Sequence, residues 1–123
     1  MPEVIRPSTV LPANRKLLTL YTSDHLKLIG EVATPIGERV ASILCLHPNP
    51  TGGGMMDSHM YKKAANRLRH MAGIEVIRFN TRGTASEQGK SEGEYGATVT
   101  EKLDVEAAIN YSFDDLKVTK LFI

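Results

Sequence analysis

The segment from Val40 to Leu46 is the feature that most constrains the fold of this chain. It is a short and mostly apolar run, without the alternation of a half-exposed strand. Such a run is typical of a strand that is buried on both faces of a parallel sheet. The prolines and glycines that follow it end the strand in a loop. The chain is therefore expected to build a sheet whose two faces are both covered.

The residues around this strand predict further elements. Before it, apolar and polar residues alternate, which predicts an antiparallel hairpin with strands over about residues 15–22 and 25–33. After the loop, apolar residues at helical spacing predict a helix over residues 56–72, which Gly73 ends. Residues 1–14 contain three prolines and show no periodicity, and they are expected to form an amino-terminal arm.

The second half of the chain continues the alternation of strands and helices. Ile74 to Phe79 is another apolar strand, and Asn80 to Gly96 is predicted to be a loop. Thr98 and Glu101 have the spacing of a capping box, which predicts a second helix. Leu116 to Ile123 begins a last strand. The order β-β-β-α-β-α-β predicts the α/β class, with a mostly parallel sheet and an antiparallel hairpin at its start.

The loop from His47 to Gly54 has the most informative chemistry. Asn49 lies between two prolines, which lack the backbone N–H that Asn49 has. The glycines that follow let the backbone pass close to a ligand or a neighbouring strand. At the carboxyl end of a central strand, such an amide is placed to stabilise a developing oxyanion. The same residues also fit a tight connection from strand to helix without chemistry, and the composition leaves both interpretations open.

Three motifs occur in a specific order. They are His-Pro-Asn-Pro-Thr-Gly-Gly-Gly at residues 47–54, Arg-Phe-Asn-Thr-Arg-Gly at 78–83 and Ser-Glu-Gly at 91–93. Through them, residues 17–123 resemble the α/β-hydrolase superfamily. The resemblance is greatest to bacterial hydrolases with a His-Pro-x-Pro loop, which are related to dienelactone hydrolases and esterases. It implies that residues 15–123 form the N-terminal half of such a domain, with the strand order 1-2-4-3-5.

The resemblance also implies roles for individual residues. Asn49 would donate one backbone N–H to the oxyanion hole. His47 would be a structural loop residue and not the triad histidine, which follows the nucleophile along the chain in this superfamily. Arg82 and Gly83 would form the turn after the fourth strand, with Arg82 anchoring the loop and Asp104 as its structural partner. Substrate contact by His47 or by Arg82 is the alternative.

The end of the sequence bears on activity. Lys120 to Ile123 belong to the fifth strand, after which this fold holds its nucleophile in a Gly-x-Ser-x-Gly turn. We therefore expect the nucleophile motif, the triad acid and the triad histidine to be missing from the chain, and the chain alone to be inactive. Its full-length protein would hydrolyse a small-molecule ester or acyl substrate through an acyl-enzyme. The alternative is a non-catalytic truncated or split domain, a binding or assembly piece that could self-associate through its exposed last strand.

Other functions find little support in the sequence. The formal net charge of +1 gives no basic excess for nucleic acid, and no apolar stretch has the length of a membrane span or signal peptide, so a cytoplasmic protein is expected. Gly83 to Ser91 is similar to a P-loop, but five residues instead of four separate its glycines. The four histidines lack metal-ligand spacing, and Cys45 is a single cysteine in an apolar strand. We expect neither a metal nor a cofactor.

Overall fold

The hairpin forms where the alternation predicts it. The computed structural model describes residues 14–47, 50, 53–58, 61–66, 73–97 and 99–123. Strands β1 (Asn14–Tyr21) and β2 (Lys27–Thr34) pair antiparallel, with Asn14 opposite Thr34 and Tyr21 opposite Lys27. Except for Asn14, which belongs to β1, the arm predicted over residues 1–14 lies outside the described residues.

The strands at the centre of the sheet run parallel. Strand β3 (Ala41–Cys45) lies beside β4 (Ile74–Phe79), and β7 (Leu121–Phe122) runs parallel to β3 on its other side. The strand order is β1-β2-β4-β3-β7, with β2 antiparallel to β4. This mixed five-stranded sheet confirms the predicted order and fold class. Strand β4 lies between β2 and β3, so all of its residues after Ile74 are buried.

The first helix begins later than residue 56, where the sequence predicts it. In the described part of the chain, α1 covers residues 61–66, and Met56 and Asp57 lie in a turn. The turn is stabilised by side chains, because Ser58 Oγ accepts the N–H of Met55 at 3.1 Å and Asn80 Oδ1 accepts that of Met56 at 2.9 Å. The rest of the range predicted as helix, residues 59–60 and 67–72, lies outside the described residues.

The second helix, α2 (Glu101–Asp114), does not begin with the predicted capping box. Its N-cap is Thr100, which makes no side-chain capping hydrogen bond. The Glu101 carboxylate instead accepts the N–H of Gly96 at 2.9 Å, and so ties the start of the helix to the preceding loop. Thr98 lies outside the described residues.

Two further segments differ from prediction. The region predicted as loop contains a short hairpin formed by β5 (Ala85–Ser86) and β6 (Gly89–Lys90). The last strand is shorter than predicted, because residues 115–120 form an irregular connection with bends. Arg39 donates hydrogen bonds of 2.9 Å to the carbonyl groups of both Leu116 and Lys117, and Lys117 has a φ of 55°. That backbone conformation interrupts an extended chain.

The core lies on both faces of the sheet. On one face, apolar residues of four strands pack against Ala108 of α2, and the largest of these fully buried side chains is Phe79. On the other face, Cys45 and Val76 pack with Ala65 of α1. The helices therefore cover opposite faces, as expected for strands that are buried on both sides.

A buried carboxylate lies near the amino ends of β3 and β4. Glu75 is 1% exposed. It accepts hydrogen bonds from Ser42 Oγ at 2.9 Å, Thr34 Oγ at 3.0 Å and Arg39 Nη1 at 3.2 Å. A charge is tolerated inside a protein when it is paired and hydrogen-bonded in this way. Glu75 thus connects three strands with the loop before β3, at the end of the sheet opposite to the candidate site.

Candidate functional site

The loop after β3 is fixed at both ends by two consecutive residues that follow β4. At its start, the backbone N–H of Thr81 donates to His47 Nε2 at 3.1 Å. Near its end, the N–H of Met56 donates to Asn80 Oδ1 at 2.9 Å. A backbone N–H can only donate, so His47 Nε2 carries no proton in this arrangement and the ring is neutral. Asn49 lies between these two anchored ends and is itself outside the described residues.

Asn80 is fully buried, and each of its polar groups has a partner. Its backbone N–H donates to the carbonyl of Ile29 at 2.8 Å, and its carbonyl accepts from Ser91 Oγ at 2.6 Å. Its side-chain amide accepts the N–H of Met56 through Oδ1 and donates through Nδ2 to Ser86 Oγ at 2.8 Å. Asn80 therefore connects β2, the β5–β6 hairpin and the loop after β3. No role was predicted for Asn80 from the sequence, where its place in the Arg-Phe-Asn-Thr-Arg-Gly motif is the only signal for one.

Arg82 lies between two carboxylates. Asp104 Oδ2 accepts the Arg82 backbone N–H at 2.9 Å, and Asp104 Oδ1 accepts from Nη2 at 2.8 Å. Asp24, in the β1–β2 turn, accepts from Nη1 at 2.8 Å. Hydrogen bonds to these two carboxylates raise the pKa of Arg82, and the bond from Arg82 lowers the pKa of Asp24 to about 2. The structure thus brings Arg82 and Asp104 together, and Asp24 is a partner that the sequence analysis missed.

Gly83 continues this turn with a φ of +74°. A Cβ atom at this position would lie 3.1 Å from three backbone atoms, which belong to Gly93, Glu94 and Tyr95. Backbone atoms cannot move away as the tip of a side chain can, so the turn requires glycine both for its conformation and for its space. This packing places Tyr95 next to the turn after β4.

A cavity of about 320 Å³ opens at this end of the sheet. It is mostly apolar and is lined by the last residues of β3 and the loop after it, by the turn after β4 and by the start of α2. The lining residues are Leu46, His47, Pro50, Thr81, Tyr95, Glu101 and Val105. The carboxyl ends of the parallel strands are where open α/β sheets bind ligands. His47 and Pro50, which both line the cavity, flank the segment that contains Asn49.

The Gly-x-Ser-x-Gly pattern does occur in the chain, contrary to expectation. Gly89-Lys90-Ser91-Glu92-Gly93 matches it, but the site is not a nucleophile turn. Ser91 is fully buried, donates to the carbonyl of Asn80 at 2.6 Å and accepts the N–H of Ile29 at 2.9 Å. Both hydrogen bonds join Ser91 to the backbone. The segment begins with β6 and continues into a loop, whereas a nucleophile turn joins a strand to a helix.

The other candidate chemistries find no site among the described residues. Lys90 is exposed, and residues 91–96 form no helix that could hold a phosphate. Cys45 is buried, which raises the pKa of its thiol to about 11. In the part of the chain that the structure describes, no group of three or more potential ligands is placed to hold a metal. His59 and His70 lie outside that part. Nor does any helix in this part have the length and hydropathy to cross a membrane.

No protein-family model and no curated protein matches the sequence, but solved structures do. An α/β serine hydrolase without a lid from Xanthomonas campestris has a TM-score of 0.72 at 25% identity, over 93% of this chain and 51% of that one. A serine hydrolase homologue from Coxiella burnetii has a TM-score of 0.67 at 27% identity, over 86% and 49%. A Pyrococcus furiosus esterase has a TM-score of 0.70 at 22% identity, over 98% and 43%.

The last of these similarities concerns the fold alone, whereas the first two are also supported by sequence identity. In each case the chain spans about half the length of the protein that it matches. Its strand order, with the parallel strands β4, β3 and β7 after an antiparallel hairpin, is the one that the resemblance implied. The chain has a partial α/β-hydrolase fold.

Proposed function

We propose that this chain forms the N-terminal half of a serine hydrolase that cleaves ester or related acyl bonds. The observation that carries the proposal is the cavity between His47, Thr81 and Glu101, at the carboxyl ends of the parallel strands. The similarity to solved serine hydrolases supports the reaction class. The finer assignment, to the branch with a His-Pro-x-Pro loop and its dienelactone hydrolase relatives, rests on the motifs at residues 47–54 and 78–83.

In the proposed reaction, the acyl group of the substrate occupies this cavity. A serine from the other half of the enzyme attacks the carbonyl carbon, and the backbone N–H of Asn49 donates to the oxyanion that develops. His47 and Asn80 act indirectly, because their hydrogen bonds fix the two ends of the loop that contains Asn49. Arg82 and Asp104 hold the turn that supplies Asn80 and Thr81. None of these four side chains transfers a proton.

The experiment compares the 123-residue chain with the same chain extended by the coding sequence that follows Ile123. Both are assayed for aryl ester hydrolysis and for labelling by a serine-directed fluorophosphonate. We expect no inhibitor-sensitive turnover from the 123 residues, and labelling plus turnover from an extension that contains Gly-x-Ser-x-Gly. Inhibitor-sensitive hydrolysis by the homogeneous, monomeric 123-residue chain would contradict the assignment of the site. If the extension contains no nucleophile, or if the fluorophosphonate does not label the extended chain, the result would favour the non-catalytic alternative.

The isolated chain exposes an apolar edge of its sheet at β7. Strand β7 pairs with β3 through two residues, and Phe122 and Ile123 are 58% and 65% exposed. An apolar strand at the edge of a sheet is a template for pairing with another chain. We propose that the isolated chain self-associates through this edge. We propose that the protein has neither a nucleic-acid partner nor a membrane partner. We also propose a cytoplasmic location, which cell fractionation would test.

A further inference from the structure

The cavity at the carboxyl ends of the strands has one charged side chain among its described lining residues, that of Glu101. The other lining residues are apolar or uncharged, and the His47 ring is neutral because its Nε2 accepts from Thr81. Among the described residues, no lysine or arginine forms an ion pair with Glu101. The cavity therefore has a negative charge that no positive side chain in its described lining compensates.

Among the residues that the structure describes, the surroundings of the cavity do not offset this charge. The guanidinium nearest along the turn, that of Arg82, is shared by the carboxylates of Asp24 and Asp104, so that the three together carry one negative charge. Lys102 is exposed and does not line the cavity. A carboxylate group in the cavity would thus meet like charge, and like charges at short range repel more strongly where water is partly excluded.

Glu101 also lies at the amino end of α2, a local feature that would attract an anion. The amino end of a helix has a partial positive charge and free N–H groups, which favour anionic ligands. Glu101 is the first residue of α2, and its carboxylate already accepts from the Gly96 N–H at 2.9 Å and from Thr100 Oγ at 3.3 Å. A negative charge of the protein therefore already lies at the helix end that would otherwise attract a ligand carboxylate.

We propose that Glu101 makes this cavity select uncharged acyl compounds, such as simple esters, over carboxylates. The inference rests on the proposed function and defines its substrate class. In ester hydrolysis, the oxygen of water bonds to the acyl carbon and the bond to the alcohol breaks. The alcohol leaves, and the acid product loses its proton to become a carboxylate. Glu101 thus favours binding of the neutral ester and release of the anionic acid, and it disfavours substrates whose acyl group contains a further carboxylate.

The test is an NMR titration of the ¹⁵N-labelled 123-residue chain with two probes of the same shape, butyramide and butyrate. The amide signals of Thr81 and Val105 report binding at the cavity. We expect butyramide to bind at least about tenfold more tightly than butyrate, and Glu101→Gln to reduce this ratio by improving butyrate binding. Glu106→Gln removes the same charge from an exposed position of α2 outside the cavity lining and should leave the ratio unchanged.

A second measurement does not depend on the variant. For the unmodified chain, added salt should tighten butyrate binding and leave butyramide binding unchanged, because salt screens the repulsion between carboxylates. Equal binding of the two probes, or a ratio that neither Glu101→Gln nor salt changes, would overturn the selectivity and leave the acyl site in place. If butyramide shifts no signal at the cavity, the acyl site of the proposed function fails, and the selectivity with it.

Discussion

Arg82 donates both its backbone N–H and its guanidinium to the Asp104 carboxylate, at 2.9 and 2.8 Å, across the gap between the turn after β4 and the first turn of α2. Asp104 is completely buried, so this carboxylate has no access to solvent that could replace Arg82. Because the carboxylate binds both the main chain and the side chain of Arg82, it fixes the position of the Arg82 backbone and the rotamer of its side chain together. The turn that supplies Asn80 and Thr81 is thereby attached to the helix that supplies Glu101.

Breaking this ion pair should cost much stability. Replacing Asp104 with Asn leaves the buried Arg82 charge paired with Asp24 alone, and we expect the free energy of unfolding to fall by about 1.5–3 kcal/mol. Urea denaturation followed by circular dichroism measures the change. The control is Glu106→Gln on the exposed face of α2, which should stay within about 0.5 kcal/mol of the parent chain. A similar small effect for Asp104→Asn would contradict a structural role for the pair.

The buried amide of Asn80 should control the end of the loop after β3. In Asn80→Ala, the N–H of Met56 loses its acceptor, and we expect a loss of about 1–3 kcal/mol in stability. Hydrogen exchange should show the amide of Met56 exchanging faster than global unfolding accounts for. Asn110→Ala, at an exposed position of α2, is the matched control. Unchanged protection of Met56 in the Asn80 variant would show that another group holds the loop.

Asp24 should make stability depend on pH in the acid range. Its pKa is lowered from 3.8 to about 2, chiefly by the hydrogen bond from Arg82, so the folded chain favours the ionised form. The stabilisation is then fully present above the ordinary pKa of Asp, and it is lost as the pH falls from about 4 towards 2. Unfolding of the parent chain and of Asp24→Asn, compared between pH 6 and pH 2, should show a difference that shrinks within this window. A difference that does not vary with pH would exclude the pairing.

The thiol of Cys45 should be unreactive in the folded chain. Its pKa is raised to about 11 by burial, so at pH 8 only about one thiol in a thousand is ionised. We expect an aromatic disulfide reagent to leave the native chain unmodified for hours and to modify one thiol per chain once urea unfolds it. Fast modification of the native chain would show that the face of the sheet covered by α1 opens.

The edge of β7 should decide the oligomeric state of the isolated chain. A lysine in place of Phe122 places a charge on the exposed strand, a substitution that disfavours pairing between edges. We expect sedimentation velocity to show a shift of Phe122→Lys towards the monomer. Phe113→Lys, at a 46% exposed position of α2, changes the same residue type away from the edge and should associate like the parent chain. A monomeric parent chain would rule out self-association through β7.

The succession of strands and helices could be predicted from the sequence because it depends on strong local patterns, whereas the order of the strands in the sheet was implied by the family resemblance. The apolar runs at residues 40–46 and 74–79 have few alternatives to buried parallel strands, and the alternation before them specifies a hairpin. The start of α1 could not be predicted, because contacts distant in sequence decide it. Met56 continues the apolar spacing of the helix, but it lies in a turn, where its N–H donates to Asn80, 24 residues further along the chain.

The site was less predictable for the same reason. The resemblance identifies His47 and Arg82 as structural loop residues and Asp104 of the second helix as the structural partner of Arg82. Spacing alone does not show that Asp24 of the hairpin completes the pairing of Arg82. Ser91 shows the opposite problem, since it has the residue pattern of a nucleophile turn. Whether its hydroxyl faces a substrate or the backbone of Asn80 depends on the strand that the hairpin packs against, which a five-residue pattern does not contain.

The two hydrogen bonds that anchor the loop after β3 have a consequence for the order of folding. They join residues that are 34 and 24 positions apart, and in both cases the later partner, Thr81 or Asn80, follows β4. During synthesis the loop is made before either partner. Closing contacts over such distances costs chain entropy that local contacts do not, so the β1–β2 hairpin can form first. The candidate site acquires its shape only when β4 enters the sheet, and it is therefore among the last parts of this chain to mature.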